Sequence, residues 1–284
     1  GKKLYQQARY QESLDKVLRS LNDRVGRLQT KAEKIVAEIY TLIGDNYWKK
    51  GLFQKSLDNY KEAEEIYKAL KMDDSIDCAR VYNHMSVVYK SLAQYNEAWN
   101  VLEKALAINR KFPDSDNIEL ARTYHNIGWL LDEQSKYDEA LAYLKKSLEI
   151  KERYTGEEKD AELALAYNRI GTVYESQGYY FEALEHYKLA LQLNINYYGE
   201  EHPEVADIYC NIGNVNRIQF KDDEALSNYK KFLYINLKFH GENHPKVADA
   251  YVNMGCVYDS QGKYEEALEN YRKSLLIDKS FFGE

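Results

Sequence analysis

The chain has 284 residues, 44% hydrophobic and 30% charged, with a formal net charge of −7. That balance excludes a disordered polyelectrolyte and sets nucleic acid and anionic membrane surfaces aside as main partners. No apolar run of about 18 residues occurs, so membrane insertion is not expected; three cysteines without framework spacing point to a reducing compartment, and a cytoplasmic location is expected.

Taken in order, Leu4 and Tyr5 read as the end of one helix, and Tyr10, Ser13, Leu14, Val17 and Leu21 as the apolar stripe of a second. Residues 1–36 are therefore expected to be a partial repeat. From Ala37 onward a small residue recurs at Gly44, Ser86, Gly128, Gly171, Gly213 and Gly255, at intervals of 42, 42, 43, 42 and 42. Four places before each stands a tyrosine (Tyr40, Tyr82, Tyr124, Tyr167, Tyr209, Tyr251), and twelve places after each another small residue (Ser56, Ala98, Ala140, Ala183, Ala225, Ala267). Each period carries two stripes at i, i+3, i+4, i+7, the mark of two amphipathic helices, with Gly262 able to take the positive φ of the turn between them in the last period. Self-similarity at such a period predicts an all-α solenoid of stacked helix-turn-helix hairpins. The expected repeats are 37–78, 79–120, 121–163, 164–205, 206–247 and 248–284, forming one continuous domain. Neither end carries a polar capping repeat, so the array is expected to continue beyond both.

The pattern Y-x2-[IM]-G-x2-Y followed by G-x-[YF]-x2-A-L resembles the tetratricopeptide repeat over essentially the whole chain, with a period of 42 instead of the family's usual, shorter one. The links Gly199-Glu-Glu-His-Pro-Glu-Val-Ala206 and Gly241-Glu-Asn-His-Pro-Lys-Val-Ala248 resemble those of the long subclass found in kinesin light chains and nephrocystin-like proteins. The resemblance implies a right-handed superhelix whose concave groove receives a peptide or helix of a partner protein.

The links account for the period. Where the shorter pattern ends its second helix at a proline, this chain has Leu237 and Lys279, so the helix can continue for about a turn. Pro203 and Pro245 instead stand where a first-turn proline starts the next helix, and His202 and His244 before them read as cap or loop residues rather than metal ligands or pH sensors. The 27 tyrosines fall mainly on stripe positions, which suits burial of the ring with the hydroxyl at an edge; a phosphorylation platform is the alternative. No phosphate loop, nucleophile elbow or metalloprotease helix occurs, and Cys210 and Cys256 have no histidine nearby to activate them, so neither enzymatic activity nor a cofactor is expected.

What remains is the face of each first helix opposite its stripe. There lie Arg80, Asn83, His84 and Lys90, then Arg122, His125, Asn126 and Trp129, then Asn168 and Arg169, then Asn211, Asn214 and Arg217, and finally Asn253. One asparagine per repeat (Asn83, Asn126, Asn168, Asn211, Asn253) can pair with an extended peptide backbone, the role the resemblance implies, or bond a neighbouring helix and set repeat spacing. The cations of repeats two to four beside Trp129 suit an acidic peptide with an aromatic anchor, and kinesin-light-chain-like arrays favour such ligands. The fifth repeat departs from the pattern at Asn216, Phe220 and Asp222; a bulky Phe220 is poorly suited to positive φ, so a different turn or a looser hairpin is expected there. The expected function is a protein-interaction scaffold or adaptor. A regulatory array of a larger enzyme or switch protein, and a structural module self-associating through its ends, remain as alternatives.

Overall fold

The computed structural model describes residues 2–112 and 117–282, with side chains described over 19–20, 23–112 and 117–281. Among the described residues there are twelve α-helices and no strand. They fall into two compact units, Gly1–Pro113 and Asp114–Glu284. The first unit holds α1 (Lys2–Lys49), α2 (Phe53–Ala69), α3 (Ile76–Ser91) and α4 (Tyr95–Asn109). The second holds α5 (Ile118–Glu133), α6 (Tyr137–Arg153), α7 (Lys159–Ser176), α8 (Tyr180–Tyr198), α9 (Pro203–Ile218), α10 (Asp222–His240), α11 (Pro245–Ser260) and α12 (Tyr264–Phe282). Within each unit every helix packs against its sequence neighbours, and each first helix also touches the next: α1 meets α3, and α5, α7, α9 and α11 meet in series. That contact pattern is a solenoid of helical hairpins.

The recurring small residue explains how closely each hairpin closes. A Cβ on Gly171 would lie 2.7 Å from the Tyr187 ring, one on Gly213 2.6 Å from Tyr229, and one on Gly255 2.6 Å from Tyr271. The rings of Tyr187 and Tyr229, and that of Tyr60 against Gly44, fill such sites with almost no exposure. Their hydroxyls reach out at the hairpin edge, as the stripe positions imply: Tyr60 donates to Asp45 at 2.6 Å, Tyr187 to Glu175 at 2.6 Å and Tyr229 to Asn214 at 2.8 Å. Burial, joined for Tyr60 and Tyr187 by their carboxylate partners, pushes these phenols upward, Tyr229 to about 12.

The links behave as their residues dictate. His202 and His244 are N-caps, each accepting at Nδ1 from the backbone N–H two places on at 3.2 Å, with Pro203 and Pro245 in the first turn. Each cap also stacks on the end of the preceding helix, His202 on Tyr198 at 4.1 Å and His244 on His240 at 3.9 Å. With no proline at Leu237, α10 runs on to His240 and ends at Gly241, φ +84°.

Two expectations fail. No turn separates residues 1–36 from Ala37: α1 is one helix of 48 residues. That stretch has no proline and no Gly-Glu-x-His-Pro link, and a single helical Gly26 costs only about 1 kcal/mol, too little to break a helix. The side chains of Leu4, Tyr5, Tyr10, Ser13, Leu14, Val17 and Leu21 lie outside the described residues, as do Gly283 and Glu284. The fifth-repeat turn is not different either. Phe220 itself takes φ +58°, and its hairpin closes with the same bonds as the Gly262 turn: Phe220 N–H to Arg217 O and Lys221 N–H to Asn216 O, against Gly262 to Asp259 and Lys263 to Tyr258. Ala93 and Ser135 do the same at their turns. The left-handed strain of roughly 1–2 kcal/mol is accepted because the hairpin around it fixes the geometry. Phe220 is 86% exposed, so its ring contributes little in return. Phe220→Gly should therefore raise stability by about 1 kcal/mol, measured by urea unfolding; a loss of stability would mean the ring has a structural role.

Candidate functional site

The first-helix faces were expected to be open and, toward the middle, positive. In the first unit, Asn83 is 3% exposed, and its place one residue after the stripe tyrosine turns it inward. Arg80 and Lys90 are half-buried, with Arg80 3.5 Å from Asp77. His84 Nδ1 lies 2.6 Å from Asp45, which also receives the Tyr60 hydroxyl. Burial would raise the Asp45 carboxyl, but hydrogen bonding and charge from His84 and the Tyr60 bond bring it below the ordinary range.

In the second unit Arg122 is neutralised within the fold. Arg122 reaches Glu162 at 2.7 Å, Glu119 at 2.9 Å and Glu158 at 3.6 Å. Glu162 in turn holds Lys151, a fully buried lysine of α6, at 2.8 Å. Arg169 lies over Trp129, its guanidinium carbon 4.5 Å from the ring centroid, so the tryptophan is capped and half-buried rather than presented. His125 is 5% exposed, and Asn126 and Arg217 are half-buried. The free positive patch beside an exposed tryptophan is thus corrected: Glu119 and Asp77 lie three places earlier on the same helices, while Glu162 and Asp45 come from neighbouring first helices, which one helix's periodicity does not reveal. Reversing Arg122 would consequently disturb the fold.

The asparagines occupy two registers. Asn83 and Asn168 stand one place after the stripe tyrosine, Asn126, Asn211 and Asn253 two places after it. A residue in the second place bonds one in the first place of the preceding first helix: Asn211 donates to Asn168 at 3.0 Å, and Asn253 reaches the Cys210 sulfur at 3.5 Å. Asn214 is engaged by Tyr229. Asn168, Asn211 and Asn253 nevertheless line clefts, so they hold successive first helices and border solvent at once.

One cleft, about 360 Å³, lies between α9 and α11, with Asp207, Asn211, Lys246, Asp249 and Asn253 on its walls. A second, about 440 Å³, is bordered by α7, the end of α8 and the start of α9, with Glu158, Glu162, Asn168, Asn194 and Glu204. The Asn168–Asn211 bond joins them. Cys210 in the first cleft has its thiol pushed up to about 12 by burial and by Asp207 and Asp249, which leaves it unreactive. Among the described residues no group of three or more His, Cys, Asp or Glu is placed to hold a metal, and no helix is long and apolar enough to cross a membrane.

Sequence reasoning missed the second-helix residue that stitches hairpins together. Asn109, Lys151, Asn194 and Asn236 recur in phase at one buried position. Lys151 donates to the Glu162 carbonyl at 3.1 Å and Asn194 to the Glu204 carbonyl at 3.3 Å, equivalent carbonyls of successive first helices. A polar residue recurring within an apolar stripe was the available signal.

Solved structures with this architecture include BtubC (BKLC) of P. vanneervenii, 20% identical with a TM-score of 0.67 over 82% of this chain and 93% of that one. A Podosopora anserina protein of nearly identical TPR-like repeats, assigned as a kinesin light chain, is 18% identical with a TM-score of 0.57 over 71% of this chain and 95% of that one. Rap protein, solved in complex with Competence and Sporulation Factor, is 20% identical with a TM-score of 0.62 over 87% of this chain and 76% of that one. No curated protein matches the sequence significantly. The tetratricopeptide repeat family model matches residues 35–111, 77–153, 162–233 and 219–280, and the chain belongs to that family.

Proposed function

We propose that the chain is a non-catalytic scaffold of the long-period, kinesin-light-chain-like kind, working in the cytoplasm, whose first-helix faces receive a peptide or helix of a partner protein. One observation carries this reading: in the second unit the serially packed first helices leave joined clefts walled by amide side chains, Asn168 and Asn211 in contact and Asn253 one hairpin on. Such amides can turn a donor or acceptor to an extended backbone without demanding a particular sequence. The structural neighbour Rap, solved with a bound factor, supports the same use of the fold. In the first unit, His84 with Asp45 and the flanking Arg80 and Lys90 form the corresponding face, and in the second Arg122, His125, Asn126, Trp129, Asn214 and Arg217 act behind the contact surface as its supports.

A photo-crosslinking residue tests the proposal. Placed at Val252, which is 39% exposed and borders the α9–α11 cleft, it should capture a discrete partner polypeptide in extract. The same residue at Lys230, exposed on α10, should not. Equal capture at the two positions, or none at Val252, would overturn the groove assignment.

A further inference from the structure

The cleft between α9 and α11 is unbalanced in charge, and its imbalance specifies a ligand. Lys246 is the only cation among the described residues that line it, and both oxygens of Asp207 already hold it, each 2.7 Å from Nζ. Asp249, exposed on the opposite wall one first helix further on, makes no hydrogen bond or ion pair among the described residues. Partial burial and the charges of Asp278 and Asp207 push its carboxyl up, while Lys246 and His244 offset only part of this. Two carboxylates of the cleft, Asp207 and Asp249, thus face one ammonium. The joined cleft has the same sign, with Glu158 and Glu204 exposed at its mouth.

Resting on the groove reading above, we propose that this cleft takes an arginine or lysine side chain of the partner's peptide, with Asp249 as its counter-ion and Asn211 and Asn253 beside it to meet the peptide backbone. A cation entering here would gain a carboxylate that the fold leaves unpaired, whereas an acidic residue would meet Asp207 and Asp249 together. The acidic ligand that the sequence pattern suggested rests on the cations of repeats two to four, whereas this cleft lies in repeats five and six, where Asp207 and Asp249 stand.

Selection of a random peptide library displayed on phage against the whole chain tests this, followed by fluorescence anisotropy on synthetic copies of the enriched peptides. The expected result is enrichment of peptides with a fixed basic residue, whose binding weakens about tenfold or more in Asp249→Asn and falls with added salt. Asn253→Ala should weaken the same peptides independently. Asp249→Asn removes no internal bond, so circular dichroism should show it folded. Enriched peptides that lack a basic residue, or that ignore Asp249→Asn, would overturn the charge assignment; if Asn253→Ala still weakened them, the groove reading would stand. Failure to enrich any peptide sensitive to either variant would overturn both.

Discussion

Glu162→Ala is expected to lower the stability of the Asp114–Glu284 unit by about 3–5 kcal/mol, the largest effect of any single change considered. Lys151 has no exposed surface, and its ammonium is held by the Glu162 carboxylate at 2.8 Å and the Glu162 carbonyl at 3.1 Å. Burial holds that ammonium below its ordinary range against the pull of Glu162. Removing the carboxylate leaves a buried cation with one neutral acceptor, and also strips Arg122 of its shortest ion pair. Lys151→Met with Glu162→Gln should recover most of the loss, since a neutral pair of similar volume carries no uncompensated charge. Acid tests the same contact. Burial alone would raise the Glu162 carboxyl, but the charges of Lys151 and Arg122 bring it below its ordinary value of 4.5. Its contribution is therefore complete above that value and is lost as pH falls through the depressed folded-state value. Urea midpoints measured from pH 6 downward should show an acid-side loss that is smaller in Glu162→Ala. A variant within about 1 kcal/mol of the parent would show that the cluster is not a fastening point.

Much of the fold was legible because stripe, small residue and turn all repeat in phase, so six weak local signals reinforce one another. The hairpins, the proline-started helices α9 and α11, the histidine caps and the buried tyrosines all follow from residue type at a fixed place. The candidate site was legible only in outline. Helical periodicity placed Asn168, Asn211 and Asn253 on the first-helix faces, where the clefts are. It could not show that Asn211 reaches back to Asn168, because that bond depends on how two hairpins stack. The charge of the face was misread for the same reason. Arg122 looks free along α5, yet Glu158 lies in the link before α7 and Glu162 within it, at a distance only the stacking of α7 on α5 closes. Phe220 shows the limit from the other side: a residue preference worth about 1–2 kcal/mol does not decide a turn already fixed by the helices it joins.

Gly171→Ser should cost about 1–3 kcal/mol through overpacking, and Tyr187→Leu in the same chain should recover much of that loss. A Cβ on Gly171 would come 2.7 Å from the Tyr187 ring and 3.2 Å from the Ala183 carbonyl oxygen, and neither can withdraw without opening the hairpin. The ring is fully buried and its hydroxyl is bonded to Glu175. The chain itself contains the compensated combination. In the register that places Gly171 opposite Tyr187, α3 has Ser86 and α4 has Leu102, both buried. A tyrosine at this place thus always faces a glycine, while a leucine faces Ser86 in one hairpin and Gly128 in another, where a Cβ would lie 2.6 Å from Leu144. Thermal or urea unfolding of the two single variants and the double variant forms a cycle, and the double should exceed the additive expectation by about 1 kcal/mol or more. Strict additivity would mean that the tyrosine ring is not what keeps the small residue small. The period's glycine would then owe its place to helix approach at the Ala183 backbone alone.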